Sequence, residues 1–214
     1  MIRNKPRFPL ALILLSGATL LASPAWAATG FINFLIGQKA LDSADWGVLN
    51  QQTAFGVESA FGQDKWPVLI AAYFTRSSST VDSTLTAANG EPFLVHDQYS
   101  TQEIGVGLNK TLTIKNRIHP YISAGGTLGH VGETFKQSGA SVSRTAGSIG
   151  FWSTFSAFYR LGTRFNAGGL VRYSSCTVDL KELVAGAQTF PAQSYSEGGI
   201  TYAVVIGWGW PATK

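Results

Sequence analysis

Few residues in this sequence could do chemistry, and they are scattered along the chain. The segment Arg172–Cys176, with the sequence RYSSC, places two serines side by side. A serine hydroxyl becomes a nucleophile only when a neighbouring base takes its proton. The histidines are His96, His119 and His130, and none of them adjoins these serines. We therefore predict no catalytic residues in this chain.

The single thiol and the other reactive groups point the same way. Cys176 is the only cysteine, so an internal disulfide is impossible. A reactive thiolate needs positive or basic surroundings, and His130, the nearest histidine in the sequence, is far away. We expect Cys176 to be a small strand-end or loop residue. The sequence shows no cluster with metal-ligand spacing and no glycine loop for phosphate, so we expect no cofactor and no metal.

The first residues have the layout of an export signal. Three positive charges at 3–7 precede an apolar stretch at 8–21, and the small-x-small sequence Ala-Trp-Ala follows at 25–27. This is the pattern of a cleaved secretory signal peptide. The apolar stretch is shorter than the roughly 20 residues that a membrane-spanning helix needs. We predict a signal peptide at 1–27 and one domain at 28–214.

Removing this segment changes the meaning of the charge. The formal net charge of the chain is +4, and three of its positive charges are Arg3, Lys5 and Arg7. The remainder therefore carries about +1 by subtraction. Nucleic-acid binding would require a clustered basic face, so we expect no nucleic-acid partner.

Eight segments alternate between apolar and polar or small residues with a period of two, which indicates half-buried β-strands. In the last segment, Ile200, Tyr202 and Val204 share one face and Thr201 and Ala203 share the other. The third segment is ambiguous because both of its faces are apolar. The segments lie at about 31–41, 52–61, 68–76, 103–112, 120–130, 151–160, 165–174 and 200–210.

The connections between these segments alternate in length. Short connections lie at 62–66, 113–118 and 161–164; long ones lie at about 42–51, 77–99, 131–147 and 175–197. Outer-membrane barrels have short periplasmic turns and longer outward loops. We therefore predict an all-β fold, an eight-stranded antiparallel up-and-down transmembrane β-barrel. The even strand number places both termini on the periplasmic side.

Charged residues on the inward faces define a candidate site. A barrel of eight strands is only wide enough for side chains to fill it or for one small ligand. Charges inside it should therefore pair, and Glu58 and Arg172 have similar predicted depths. A gated ion path is the alternative use of these charges. The predicted lumen network comprises Lys39, Glu58, Glu103, Arg160 and Arg172.

Aromatic residues concentrate near the two ends of the predicted strands, as expected where a barrel meets the two membrane interfaces. The predicted periplasmic belt comprises Trp66, Tyr159, Phe165, Trp208 and Trp210. Nearer the outer ends lie Tyr73, Phe74, Phe151 and Tyr173.

Four segments together resemble small outer-membrane β-barrel proteins of Gram-negative bacteria, many of them uncharacterised. They are 55–58 (FGVE), 118–126 (IHPYISAGG), 159–166 (YRLGTRFN) and 207–210 (GWGW). The resemblance implies outer-membrane lipid, lipopolysaccharide and the barrel-assembly machinery as partners. Such proteins usually end on an aromatic residue, whereas here 211–214 follow Trp210.

The resemblance also raises the question of catalysis, because some barrels of this kind modify lipid A. The deacylases carry a histidine beside a serine on a late strand, and the segment Arg172–Cys176 lacks that histidine. A palmitoyl-transferase site would need His96 or His130 to meet a serine of 77–79. We expect a structural, envelope-integrity or surface-interaction role, with an extracellular partner bound through the long loops. A narrow porin-like channel and a lipid-modifying enzyme are the alternatives.

Overall fold

The computed structural model of this 214-residue chain describes most of the domain that the sequence predicts. The expected signal peptide at 1–27 and the tail at 211–214 lie outside the described residues. The described residues are 28–63, 65–86, 92–112, 114, 117–137, 140–180, 182–185, 188–190 and 192–210.

Eight long strands account for the architecture. They are β1 (Ala28–Leu41), β2 (Gln51–Gln63), β3 (Leu69–Thr86), β4 (Pro92–Thr111), β5 (Ile118–Gln137), β6 (Ala140–Leu161), β7 (Phe165–Leu180) and β11 (Gly199–Trp210). Between β1 and β2 lie the short helix α1 (Ser43–Trp46) and a 3-10 turn (Gly47–Leu49). Between β7 and β11 lie the short strands β8 (Leu183–Ala185), β9 (Gln188–Phe190) and β10 (Gln193–Ser196).

The eight long strands close into an antiparallel barrel. Each strand from β1 to β7 pairs with the next, β7 pairs with β11, and β11 returns to β1 with Phe34 opposite Ile206. The predicted fold is therefore confirmed. No helix of the described segments is long and apolar enough to span a membrane.

Side chains that alternate along each strand point in turn into the lumen and toward the outside of the barrel. On β11, Thr201 and Val205 are buried, whereas Tyr202, Val204 and Ile206 are at least half exposed. Exposed Ile, Leu, Val and Phe side chains on the other strands complete an apolar outer band. Such a band is stable only when lipid covers it. The barrel is therefore built to span a membrane.

The structure shows which face of the ambiguous third segment points into the lumen, and this corrects one residue of the predicted aromatic belts. On β3, Tyr73 is 4% exposed and faces the lumen, whereas its neighbour Phe74 faces outward. The assignment of Tyr73 to the outer belt is therefore wrong. The reason is that a strand with two apolar faces carries no parity signal.

The predicted long connections are also corrected, because strands occupy much of them. The expected loop at 77–99 contains the ends of β3 and β4, and the expected loop at 131–147 contains the ends of β5 and β6. Sequence alternation fades there because neither face of these extensions contacts lipid. Their Thr, Val and Ser residues still pair across the hairpins.

These extensions stand clear of the barrel wall. Pairing between β2 and β3 stops at Thr53–Ser78, and pairing between β6 and β7 stops at Gly150–Cys176. Beyond those points the four strands pair only with one another within the described residues. We call this four-stranded unit, residues 79–86, 92–99, 131–137 and 140–149, the protruding sheet. We call its side of the barrel the hairpin end, and the opposite side, with the three short turns, the turn end.

Candidate functional site

The lumen is filled by side chains in successive layers, and the first is an aromatic layer at the turn end. Phe31 lies 5.0 Å from Tyr121 and 5.3 Å from Phe158 between ring centroids. His119 stacks on Phe158 from below at 5.1 Å. All four side chains are buried, so this layer closes the barrel toward the turn end.

A buried ion pair forms the next layer. Arg172 Nη2 donates to Glu58 Oε2 at 2.8 Å, and its other nitrogens donate to Thr75 and Thr154 at 2.9 Å each. The guanidinium lies 3.9 Å above the ring of Tyr73. The other oxygen of Glu58 accepts from Tyr121. Arg172 is 1% exposed, and every charge in this layer has a partner, as burial in a low dielectric demands.

A second ion pair lies nearer the hairpin end. Lys39 Nζ donates to Glu103 Oε1 at 2.7 Å and to the main-chain oxygen of Glu197 at 2.9 Å. Ser174 donates to the same Glu103 oxygen at 2.8 Å, and Tyr73 donates to the other at 3.2 Å. Tyr73 therefore joins the two ion pairs, since its ring contacts Arg172 and its hydroxyl contacts Glu103.

Arg160, the fifth member of the predicted network, lies nearer the turn end than the two ion pairs and is joined to them indirectly. Its Nε donates to Asn166 Oδ1 at 3.3 Å, and its guanidinium lies 5.6 Å from the Phe158 ring. It lines a cavity of about 420 Å³ at the turn end, together with Lys110. Arg160 makes no direct ion pair with a described carboxylate. Asn166 donates to Asn33 Oδ1 at 3.1 Å, and Asn33 donates to Glu58 Oε1 at 3.4 Å. Arg160 is therefore linked to the Glu58–Arg172 pair through two amide side chains rather than by an ion pair of its own.

A buried acid sits above the second ion pair. Glu197 is fully buried, and Ser148 donates to its Oε2 at 2.6 Å. Its Oε1 has no hydrogen-bond partner among the described residues. Burial raises the pKa of Glu197 from 4.5 to about 7, because desolvation disfavours the charged carboxylate. This carboxyl therefore changes its charge near neutral pH.

The connection between β1 and β2 closes the hairpin end. Trp46 of α1 is 5% exposed and packs on Tyr99 and Tyr195, with ring centroids 5.6 and 5.5 Å away. Its indole Nε1 donates to the main-chain oxygen of Ser196 at 2.7 Å, and Asp45 accepts from the Ser196 amide at 2.7 Å. The connection after β1 and the connection before β11 thus form one roof over the lumen.

Several of these residues were not singled out from the sequence. Tyr121 and Asn33 share inward parity with the predicted network, so their strand positions could have found them. Trp46 and Glu197 lie outside the long strands, where no periodicity reports which way a side chain points. Only the folded connections bring those two side chains over the lumen.

Two of the candidate nucleophiles donate their hydroxyls to groups other than histidine. Ser174 donates to Glu103, and Ser77 donates to Gln52 Oε1 at 2.7 Å. His130 is exposed on the outer face of β5, and the side chain of His96 lies outside the described residues. The sequence predicts Cys176 at a strand end or in a loop. Instead it lies inside β7 and is buried. Such burial is typical of an inert structural cysteine.

The predicted periplasmic belt lies on the outside of the barrel at the turn end. Trp66, Tyr159, Phe165 and Trp208 are between 37% and 50% exposed, and Trp210 is half-buried. Phe165 and Trp208 pair across β7 and β11 with their rings 6.0 Å apart. Within the described segments, no group of three or more His, Cys, Asp or Glu residues is arranged to hold a metal ion.

Solved outer-membrane barrels share this fold. The outer membrane protein OprG from Pseudomonas aeruginosa is 13% identical, with a TM-score of 0.54, over 86% of this chain and 95% of that one. Ail, the attachment invasion locus protein of Yersinia pestis, solved with the heparin analogue sucrose octasulfate, is 12% identical, with a TM-score of 0.50, over 86% of this chain and 97% of that one. No protein-family model matches the chain, and no curated protein matches it. At such identities the likeness establishes the fold.

Proposed function

We propose that this chain is a non-conducting outer-membrane anchor that presents a protruding sheet for interaction at the cell surface. The observation that carries this proposal is the filled lumen. Aromatic residues, two ion pairs and the Trp46 roof succeed one another along the barrel axis. A permeation path would require at least one open polar route through these layers.

The protruding sheet supplies the interaction element of this proposal. Residues 79–86 of β3 continue past the last contact with β2. At about 3.3 Å per residue they add roughly 25 Å of strand past that pairing. A barrel that served only to seal a membrane would not need ordered strands so far outside it. An extended, paired sheet instead offers a preformed surface, which lowers the entropic cost of binding.

The charge at the hairpin end limits the kind of partner. Ail was solved with a sulfated heparin analogue. The charged side chains that are described as exposed at the hairpin end of this chain are Asp42, Asp45, Asp82, Asp179, Glu182 and Arg76. Carboxylates repel a polyanion. We therefore propose a neutral or basic protein surface as the partner, rather than a sulfated sugar.

Planar-bilayer recording of the purified domain tests the anchor role. We expect no stepwise conductance from the parent protein in potassium chloride. Trp46→Ala removes the roof but leaves the ion pairs and the aromatic layer in the lumen. This variant should therefore show no stepwise conductance either. Discrete conductance steps in the parent protein would contradict the proposal and favour the narrow channel. Mass spectrometry of lipid A from expressing cells tests the remaining alternative, and a modified lipid A would favour the enzyme.

The interaction role has its own test. A variant shortened at both hairpins, by deletion of residues 80–97 and 134–143, keeps the strand segments of the barrel wall. The assay measures adhesion of cells to a surface coated with a basic protein. More cells should adhere when they display the parent protein than when they display this variant. Equal retention at equal surface display would overturn the interaction role and leave the anchor role intact.

A further inference from the structure

Exposed cations collect at the turn end of the barrel. The charged side chains that are described there as exposed are Lys65, Lys110, Arg117 and Arg164, and Arg160 lies just inside the rim. Among the described residues of this end, no carboxylate accompanies them. Glu58, the described acid of the lumen that lies nearest this end, is already paired with Arg172. The described part of this rim therefore carries positive charge without a described carboxylate beside it, whereas the described exposed charge at the hairpin end is mainly negative.

Two of these cations are attached at outward-facing positions of the wall, and Lys110 also lines the mouth of the turn-end cavity. Lys110 continues the outward face of β4 that contains Val106 and Leu108. Arg117 precedes β5, and its Nη1 donates to the hydroxyl of Tyr159 at 3.0 Å. Lys110 Nζ reaches the main-chain oxygen of Pro67 at 2.6 Å. Both cations therefore lie at the level where the short turns leave the membrane.

The surroundings of these cations match the boundary between headgroups and acyl chains. Trp66 and Tyr159 are partly exposed beside them, and such amphipathic rings settle at the headgroup level. Directly next to them, Leu112, Ile114 and Ile118 are between 41% and 56% exposed. A ligand bound here would contact the cations with one part and the apolar outer wall of the barrel with another.

We propose that this rim, centred on Lys110, Arg117 and Tyr159, binds the phosphate headgroups of anionic phospholipids. A phosphodiester would accept hydrogen bonds from Arg117, which has further N–H donors besides the one given to Tyr159. Its acyl chains would lie along the apolar wall of Leu112 and Ile118. A zwitterionic phospholipid presents the same phosphate with a cation attached, so the rim would favour the anionic lipid. This preference depends on membrane insertion alone and not on the lumen being closed.

Native mass spectrometry of the mature barrel in detergent micelles tests this site. The protein is titrated with palmitoyl-oleoyl-phosphatidylglycerol or with palmitoyl-oleoyl-phosphatidylcholine. We expect tighter binding of phosphatidylglycerol, and a loss of about fivefold in its affinity for each cation removed at the rim. The variants are Arg117→Gln, Lys110→Gln and the double variant, and Arg117→Lys should retain most of the preference.

Arg76→Gln is the matched control, because Arg76 is also exposed on the outer face but lies at the hairpin end. It should bind phosphatidylglycerol as the parent does, and heat-modifiable gel mobility checks that each variant is folded. Equal affinity of the parent for the two lipids would overturn the proposal. An equal loss in Arg76→Gln would also overturn it, because general charge would then explain the binding. Complete displacement by millimolar inorganic phosphate would assign the rim to a free anion instead.

Discussion

Removing Arg172 from the Glu58–Arg172 ion pair should cost at least as much stability as removing both partners. In Arg172→Met, Glu58 keeps its contacts with Tyr121 and Asn33 but loses its only described cation within the lumen layer. Leaving a buried charge without its partner costs about 3–5 kcal/mol. Arg172→Met should therefore lower the free energy of unfolding by that amount.

Glu58→Gln should cost less, for a reason visible in the geometry. The guanidinium retains two threonine hydroxyls as acceptors and the face of Tyr73 at 3.9 Å. The loss is then close to one charge-assisted hydrogen bond, about 1.5–3 kcal/mol. The double variant removes both charges and should lose no more than Arg172→Met alone. The coupling between the two sites is then at least about 1.5–3 kcal/mol, the whole loss expected for Glu58→Gln.

Urea unfolding in lipid vesicles, followed by tryptophan fluorescence, measures all four proteins of this cycle. Arg76→Gln is the control for loss of an exposed arginine and should change stability by less than about 0.5 kcal/mol. Strictly additive losses in the double variant would refute the reasoning, because each residue would then be stabilised independently. A larger loss in Glu58→Gln than in Arg172→Met would refute the account of how Arg172 is held.

Three further predictions follow from single positions. The pKa of Glu197 is about 7 in the folded protein and 4.5 in the unfolded chain. The free energy of unfolding should therefore fall by about 3 kcal/mol as the pH rises from 4.5 to 7, and in Glu197→Gln the urea midpoints at pH 5 and pH 8 should converge. A Cβ on Gly105 would lie 2.0 Å from the Tyr73 ring, whereas one on Gly126 meets only an atom at 3.9 Å; Gly105→Ala should lower the free energy of unfolding by about 1–3 kcal/mol, and Gly126→Ala should leave it unchanged. Cys176 should resist maleimide in the folded barrel and react after unfolding in urea; rapid labelling of the folded protein would contradict its burial.

The strands that touch lipid could be predicted from the sequence, because lipid on one side and a narrow lumen on the other enforce a period of two. That parity alone places Glu58 and Arg172 on the inner face. It does not report depth well enough to show that Arg160 reaches Glu58 only through Asn166 and Asn33. It also fails on β3, where Tyr73 and its neighbours are apolar on both faces.

The rest of the interior depends on contacts between distant parts of the chain. Trp46 and Ser196 belong to different connections and meet only because β1 and β11 are neighbours in the closed barrel. The protruding sheet could not be predicted from the sequence for another reason. Its strands lie beyond the wall that lipid covers, so neither face needs to be continuously apolar, and their polar residues resemble a loop in the sequence.

The protruding sheet also gives this protein an unusual freedom to change in evolution. Its hairpins pair with each other and not with β2 or β7, so lengthening them leaves the membrane register of the wall untouched. Because side chains alternate with a period of two, adding two residues to each arm of a hairpin preserves which face every residue occupies. Related chains could therefore differ in how far this sheet extends from the barrel wall by steps of roughly 7 Å, while the buried ion pairs stay the same.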